Sequence, residues 1–275
     1  MVFRYGEMKK KIIFVLTLSL LLFLVIAFSE KELPEEVEVV SIDKNIQEMS
    51  SEEVDVFLQS MEDMESEERL KKIINLRIGT PYERGCLGEE GGIDPNPIFR
   101  LDVTDCTVFM LTSTALLNAS SKEEARELMG SLNYYPVDSI TYEDRLHFST
   151  YRNLVSPYFE DITREVGEAE KKTVVLNKKR ADGTRLIDID FEETVEISYI
   201  PVSADFELPP VVGVAFLRHG DEQIGLDVRH EGFVVEGKDL IHASLNKGEV
   251  VKENFLEYLS ISEFDGLIFF KIKSF

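Results

Sequence analysis

The sequence predicts an α+β fold in which helices come first and an antiparallel sheet follows. Two patterns carry this. Between Ser50 and Gly130 apolar residues recur at helical spacing, whereas from Thr173 onward they come in short strand-type runs divided by turn residues. A third observation lies at residues 100–118, where the extended stretch Leu101-Asp102-Val103 meets a long apolar helix and the residue at the junction is Cys106.

Residues 1–29 read as an export leader or an N-terminal membrane anchor. Arg4, Lys9, Lys10 and Lys11 precede an apolar run, Ile12 to Phe28, interrupted only by Thr17 and Ser19, and Ala27-Phe28-Ser29 offers small residues suited to signal cleavage. Seventeen residues is long for a signal core and at the short limit for a membrane span, so a tether through residues 12–28 stays open. Either way the rest of the chain is expected outside the cytoplasm, in the periplasm or at the cell surface. The formal charge is −22, and setting aside the leader's four basic residues and one acidic residue leaves about −25. A surface so acidic repels nucleic acid and anionic lipid.

Residues 30–66 read as an acidic spacer and a first helix, and 67–275 as one further domain, since no Pro/Gly/Ser-rich linker divides them. Val54, Phe57, Leu58 and Met61 share a face of the first helix. Leu70, Ile73, Ile74 and Leu76 do so in the second, and Ser51-Glu52-Glu53 and Ser66-Glu67-Glu68 are start signals. The glycines and Pro81 between Gly79 and Gly92 make that stretch a loop, with Tyr82 and Cys86 inside it. A helix from Ser121 to near Gly130 follows, then an extended segment at Tyr134. Strand-type runs come at 173–176, 195–200, 211–217, 226–235, 240–244 and 266–272, with turns at Ala181-Asp182-Gly183 and Glu236-Gly237-Lys238-Asp239.

Thr104 and Asp105 are both able to cap the helix that Cys106 begins. A cysteine on a first turn meets unpaired backbone N–H groups and the positive end of the helix dipole, which favour the nucleophilic thiolate and offer a place for an oxyanion. It still needs a base. Of His147, His219, His230 and His242, the last two lie in successive strand-type runs that a hairpin makes neighbours. His219 sits in a turn and His147 between apolar residues. Two other readings compete: a Cys86–Cys106 disulfide, usual in exported proteins, and a zinc site, for which none of the His and Cys spacings is suited.

The order Cys106, His230, His242, with Gly79-Thr80-Pro81-Tyr82 upstream, Asp105-Cys106 at the helix start, and His230-Glu231-Gly232 and His242-Ala243-Ser244 downstream, resembles the NlpC-type cell-wall cysteine hydrolases of the papain-like superfamily. Tyr134 to Tyr151, with Arg145-Leu146-His147-Phe148, is similar to the N-acetylmuramoyl-L-alanine amidase branch, long catalogued as a domain of unknown function. Phe148 departs from it, standing where a tyrosine is usual.

The resemblance implies a papain-like NlpC-type fold with a partly barrel-like sheet. It also implies Cys106 as nucleophile, His230 as base, His242 as its orienting partner, and Tyr82, Asp105, Arg145 and His147 at the substrate or oxyanion. No metal or other cofactor is required. The expected partners are peptidoglycan-derived muropeptides, met by a monomer, with no nucleic acid. The alternatives are a stem-peptide endopeptidase on the same fold and a non-catalytic wall-binding module.

Overall fold

The computed structural model describes residues 44–87, 99–135 and 140–275. The leader, most of the acidic spacer and the loop from Gly88 lie outside the described residues. Among the described residues no helix is long and apolar enough to cross a membrane. Lys44–Phe275 forms one compact unit, and the helix Ser51–Gln59 (α1) belongs to it: its Asp55 carboxylate accepts a 2.7 Å bond from the Lys122 backbone.

Each early helix begins where the sequence places a cap. Ser50 accepts from the Glu53 backbone and Glu53 returns the bond, closing a capping box on α1. The second helix is Ser66–Leu76 (α2), the third Cys106–Leu117 (α3), and the fourth Lys122–Asn133 (α4), whose first turn is closed by Ser121. Every residue of α3 from Val108 to Leu117 is buried. A helix apolar on all sides belongs in the interior, and α2 and α4 pack on α3. The helix α4 continues through Gly130 to Asn133. Tyr134, expected in an extended segment, has extended backbone and forms an antiparallel bridge with Arg145.

The strands are Phe159–Asp161 (β1), Glu170–Leu176 (β2), Glu193–Pro201 (β3), Val211–Leu217 (β4), His230–Val235 (β5), Asp239–Ser244 (β6), Glu249–Asn254 (β7) and Gly266–Ile272 (β8). They form an antiparallel sheet in the order β2-β3-β8-β4-β5-β6-β7, with β1 also on β8. Where the resemblance implies a partly barrel-like sheet, this one is open. The outer edge of β7 is taken by residues 79–82: Gly79 donates to Val250, Val250 to Thr80 and Tyr82 to Gly248, each at 2.8 Å. Phe109 of α3 meets Phe233 edge-on at 5.4 Å on one face of the sheet. On the other, Phe216, Val234, Leu240 and Phe269 pack on Phe255 and Leu259 of the helix Phe255–Ile261 (α6).

The start of β5 is clamped. The sequence suggests a strand from Leu226, but β5 begins at His230, and the preceding Asp227 turns inward. Its carboxylate accepts the Thr150 backbone N–H at 2.8 Å, and the Thr150 hydroxyl, at the start of the helix Ser149–Val155 (α5). From the same helix Arg152 returns to Glu231 of β5, with Nη2 donating to Oε1 at 2.6 Å and Nη1 to Oε2 at 3.3 Å. The two side chains are 0% and 1% exposed. Thr107 Oγ1, on the first turn of α3, reaches the same carboxylate at 3.4 Å. One buried carboxylate thus joins α3, α5 and β5.

A buried pair stripped of one partner leaves an uncompensated charge, which costs roughly 3–5 kcal/mol, whereas exchange of both for apolar groups is often near neutral. Arg152→Ala should therefore lower the urea-unfolding free energy by about that amount, and Arg152→Met with Glu231→Leu should recover most of it. A loss under about 1 kcal/mol for Arg152→Ala would remove the pair from this role.

Candidate active site

The Asp105 carboxylate accepts from the Val108 N–H at 2.8 Å, which makes Asp105 the N-cap and Cys106 the first residue of α3. Thr104 donates its N–H to Pro81 and accepts from Glu83, so the strand-like piece 79–83 runs from the sheet edge to the helix start and brings Tyr82 beside Cys106. Burial pushes the Tyr82 hydroxyl up, and Cys106, whenever it is ionised, and the Asp105 carboxylate push it the same way, so it stays a proton donor. Cys86 and Cys106 are not joined in a disulfide; Cys86 is buried, and Cys106 keeps partial exposure.

The surroundings of Cys106 oppose the thiolate that a helix start favours. The Cys106 thiol is pushed from an ordinary 9.0 up to about 12, first by burial and then by the carboxylates of Asp105 and Glu231. Hydrogen bonds from the Glu231 backbone and the Thr107 side chain act the other way and are outweighed. A helix terminus is worth roughly 0.3–1 kcal/mol to a charge, less than one pKa unit. It does not offset a change of this size.

His230 and His242 do meet across the hairpin. His230 Nε2 lies 2.7 Å from His242 Nδ1, and His242 Nε2 lies 2.9 Å from Glu253 Oε2 on β7. This sequence of contacts sets the tautomers. A carboxylate only accepts, so His242 carries its proton on Nε2; its bare Nδ1 then accepts from His230 Nε2–H. The remaining nitrogen of His230, Nδ1, is left with a lone pair. Gly232 makes room for this: a Cβ there would stand 2.8 Å from the His242 Cβ and 3.0 Å from the Ile241 carbonyl.

Aromatic rings enclose the pair. Phe216 stacks on His230 at 5.5 Å, Phe264 lies nearly parallel to it at 6.3 Å, and Tyr258 meets His242 at 4.9 Å. Burial and the second imidazole push His230 down to about 3. Burial also lowers His242, against the pull of Glu253. Burial pushes Tyr258 up to about 12, helped by Glu253 and Cys106, so Tyr258 stands within electrostatic range of both the cysteine and the relay. Among the described residues no hydrogen bond joins Cys106 to His230, and the thiol and both imidazoles are neutral at rest.

Arg145 and His147 are placed differently from the rest. Arg145 is buried, donates to the Leu87 carbonyl at 2.7 Å and lies over the Tyr142 ring. His147 Nε2 meets the Tyr142 carbonyl at 2.7 Å, and its ring packs on Tyr142. Arg145 ties its segment to the earlier loop at Leu87, and His147 bonds within its own loop. His219 is an exposed turn residue. Sequence reasoning missed Glu253, Tyr258 and Phe264; Val250-Val251 after the turn Asn246-Lys247-Gly248 was the available sign of a strand beside His242. Among the described residues no three His, Cys, Asp or Glu side chains cluster as a metal ion requires.

Comparison with known proteins bears on this site. No functionally curated protein matches the sequence. Protein LPG0564 from Legionella pneumophila, of a domain family catalogued as DUF1460, superposes with a TM-score of 0.67 at 21% identity, over 81% of this chain and 94% of that one. An N-acetylmuramoyl-L-alanine amidase from Bacteroides uniformis follows with a TM-score of 0.61 at 18% identity, over 76% and 99%. A putative xylanase from Bacteroides fragilis gives 0.57 at 19%, over 72% and 99%. Identities this low establish a shared fold. The model of the AmiA-like family, described as N-acetylmuramoyl-L-alanine amidase-like, matches residues 73–266, a span that contains Cys106, both paired histidines and Glu253. The chain belongs to that family.

Proposed function

We propose that this protein is a cysteine amidase that hydrolyses the bond between the muramic acid lactyl group and L-alanine in peptidoglycan fragments, on a papain-like arrangement of α3 against the sheet. The observation that carries the reading is the ordered contact from Glu253 through His242 to His230, which leaves one imidazole nitrogen basic on the strand against which the helix that begins with Cys106 packs. Family membership supports the substrate.

In this reaction His230 Nδ1 takes the Cys106 proton as sulfur attacks the amide carbonyl. The oxyanion is received by the first N–H groups of α3 and the Tyr82 hydroxyl. The imidazolium, stabilised through His242 and Glu253, then returns its proton to the L-alanine amine as the C–N bond breaks. Water, deprotonated by His230, cleaves the thioester and restores the thiol. The resting enzyme is a neutral pair, so charge separation occurs only as substrate displaces water. Export to the periplasm or cell surface is part of the proposal and rests on residues 1–29.

Defined muropeptides incubated with the protein should release free L-alanyl peptides, read by mass analysis. Products cut within the stem peptide, with the sugar–alanine bond intact, would favour an endopeptidase instead. Cys106→Ala and His230→Ala should each cost about 10³-fold or more in kcat, since members of one unit do not contribute additively. His242→Ala should cost roughly 10²-fold and Glu253→Gln about tenfold, in that order. Wild-type rates in Cys106→Ala would end the cysteine mechanism.

The pH dependence has a defined sign. His230 titrates at about 3 in the fold and 6.5 in the unfolded chain, so its contribution to stability is complete above 6.5 and is lost as pH falls toward 3. Cys106 has the raised value, so its contribution is complete below 9.0 and is lost as pH rises toward 12. The acid limb of kcat/KM should lie well below 6.5. An acid limb at 6 to 7 in kcat/KM, matched by a Tm transition in the same range that His230→Gln removes, would show a solvated, ordinary imidazole.

A further inference from the structure

A cavity of about 330 Å³ opens beside the histidine relay, and Tyr258 and Phe264 are among its walls. These are the rings that lie 6.4 and 6.3 Å from the His230 imidazole, so the cavity and the candidate base share a partition. Its rim carries Arg218, which follows β4, and Arg229, which precedes His230 on β5. Arg229 is held by Asp221 through Nε and Nη2, which leaves its Nη1 edge outside that bond. Arg218 is nearly half-exposed, and its ion pair is with Glu263 at 3.3 Å, itself 79% exposed. Such a pair is worth about 1 kcal/mol or less and yields to a better-placed carboxylate.

We propose that this cavity is the subsite for the peptide half of the substrate and that Arg218 and Arg229 receive a carboxylate of its acidic residue. The inference rests on the proposed amidase reaction for its direction. His230 protonates the leaving amine, which belongs to the peptide, and the cavity assigned to that peptide is the one whose walls, Tyr258 and Phe264, also pack near the imidazole. Two guanidinium groups at one rim, on a chain with net charge −22, are suited to bidentate capture of a carboxylate. Glu263 sets the specificity: it swings aside for an anionic peptide and stays paired against a neutral one.

The probes are L-alanyl-D-glutamate and its diamide, titrated calorimetrically into the full chain and into Arg218→Ala and Arg218→Glu. The wild type should bind the acid about tenfold more tightly than the diamide, the size of one charge-assisted hydrogen bond, and both variants should lose the preference. Equal binding of acid and diamide, no binding of either, or a preference that survives in both variants would overturn the subsite. With muropeptides, Arg218→Ala should raise KM about tenfold at nearly constant kcat. A wild type that prefers the acid dipeptide but cleaves no muropeptide would leave the subsite standing and remove the amidase reading; cleavage without the preference would do the reverse.

Discussion

The carboxylate of Glu231 is the point on which the arrangement around Cys106 turns. It is buried at the junction of three elements and takes bonds from Arg152 of α5 and Thr107 of α3. A charge in such a position is stable only while its partner remains, so the helix start and the strand start hold one relative position or the pair breaks. Asp227 repeats the device four residues earlier by capping α5. The short helix is thereby attached at both its first turn and its Arg152 to the segment that delivers His230. Seven residues of helix have little intrinsic stability. Their order comes from these tertiary bonds.

The same carboxylate acts on the chemistry. Glu231 and Asp105 both raise the Cys106 thiol, so the groups that position the cysteine also keep it protonated. The relay has the matching property, since enclosure by Phe216, Tyr258 and Phe264 keeps His230 neutral and so keeps its lone pair. A resting ion pair would need to be solvated inside this enclosure, at a cost the two bonds on sulfur do not offset. Glu253 supplies the compensation at a distance: its negative charge reaches His230 only through His242, when the imidazolium forms.

Much of this was legible in the sequence wherever local chemistry decides structure. Asp105 before an apolar run specifies a helix start, and two strand-type runs around Glu236-Gly237 specify the hairpin that pairs His230 with His242. Glu253 was not legible, because one glutamate in a chain with 52 acidic residues carries no signal of its own, and only the pairing of β6 with β7 puts it next to His242. The resting charge state was hidden for a related reason. A helix start is visible in sequence, whereas the burial and the distant Glu231 that outweigh it exist only after folding. Arg145 and His147, which the resemblance places at the substrate, mark another limit of the sequence: the Leu87 and Tyr142 carbonyls that engage them come within reach only in the folded chain.

His230-Glu231-Gly232 compresses three separate tasks into consecutive residues. In a strand, alternate side chains take opposite faces, so His230 and position 232 look toward the relay and Glu231 toward α3 and α5. Glycine at 232 follows from the first of these facts. His242 stands across from it, and any Cβ would enter the space that lets the two imidazoles approach to 2.7 Å. A one-residue slip of β5 would exchange the faces, carrying the carboxylate into the aromatic enclosure and the imidazole onto Arg152. The buried ion pair forbids that slip because it forms in one register alone. The fold thus uses a structural charge pair to hold the neighbouring histidine's orientation, and the position of Nδ1 relative to Cys106 is set by packing on the face of the sheet that the histidine does not occupy.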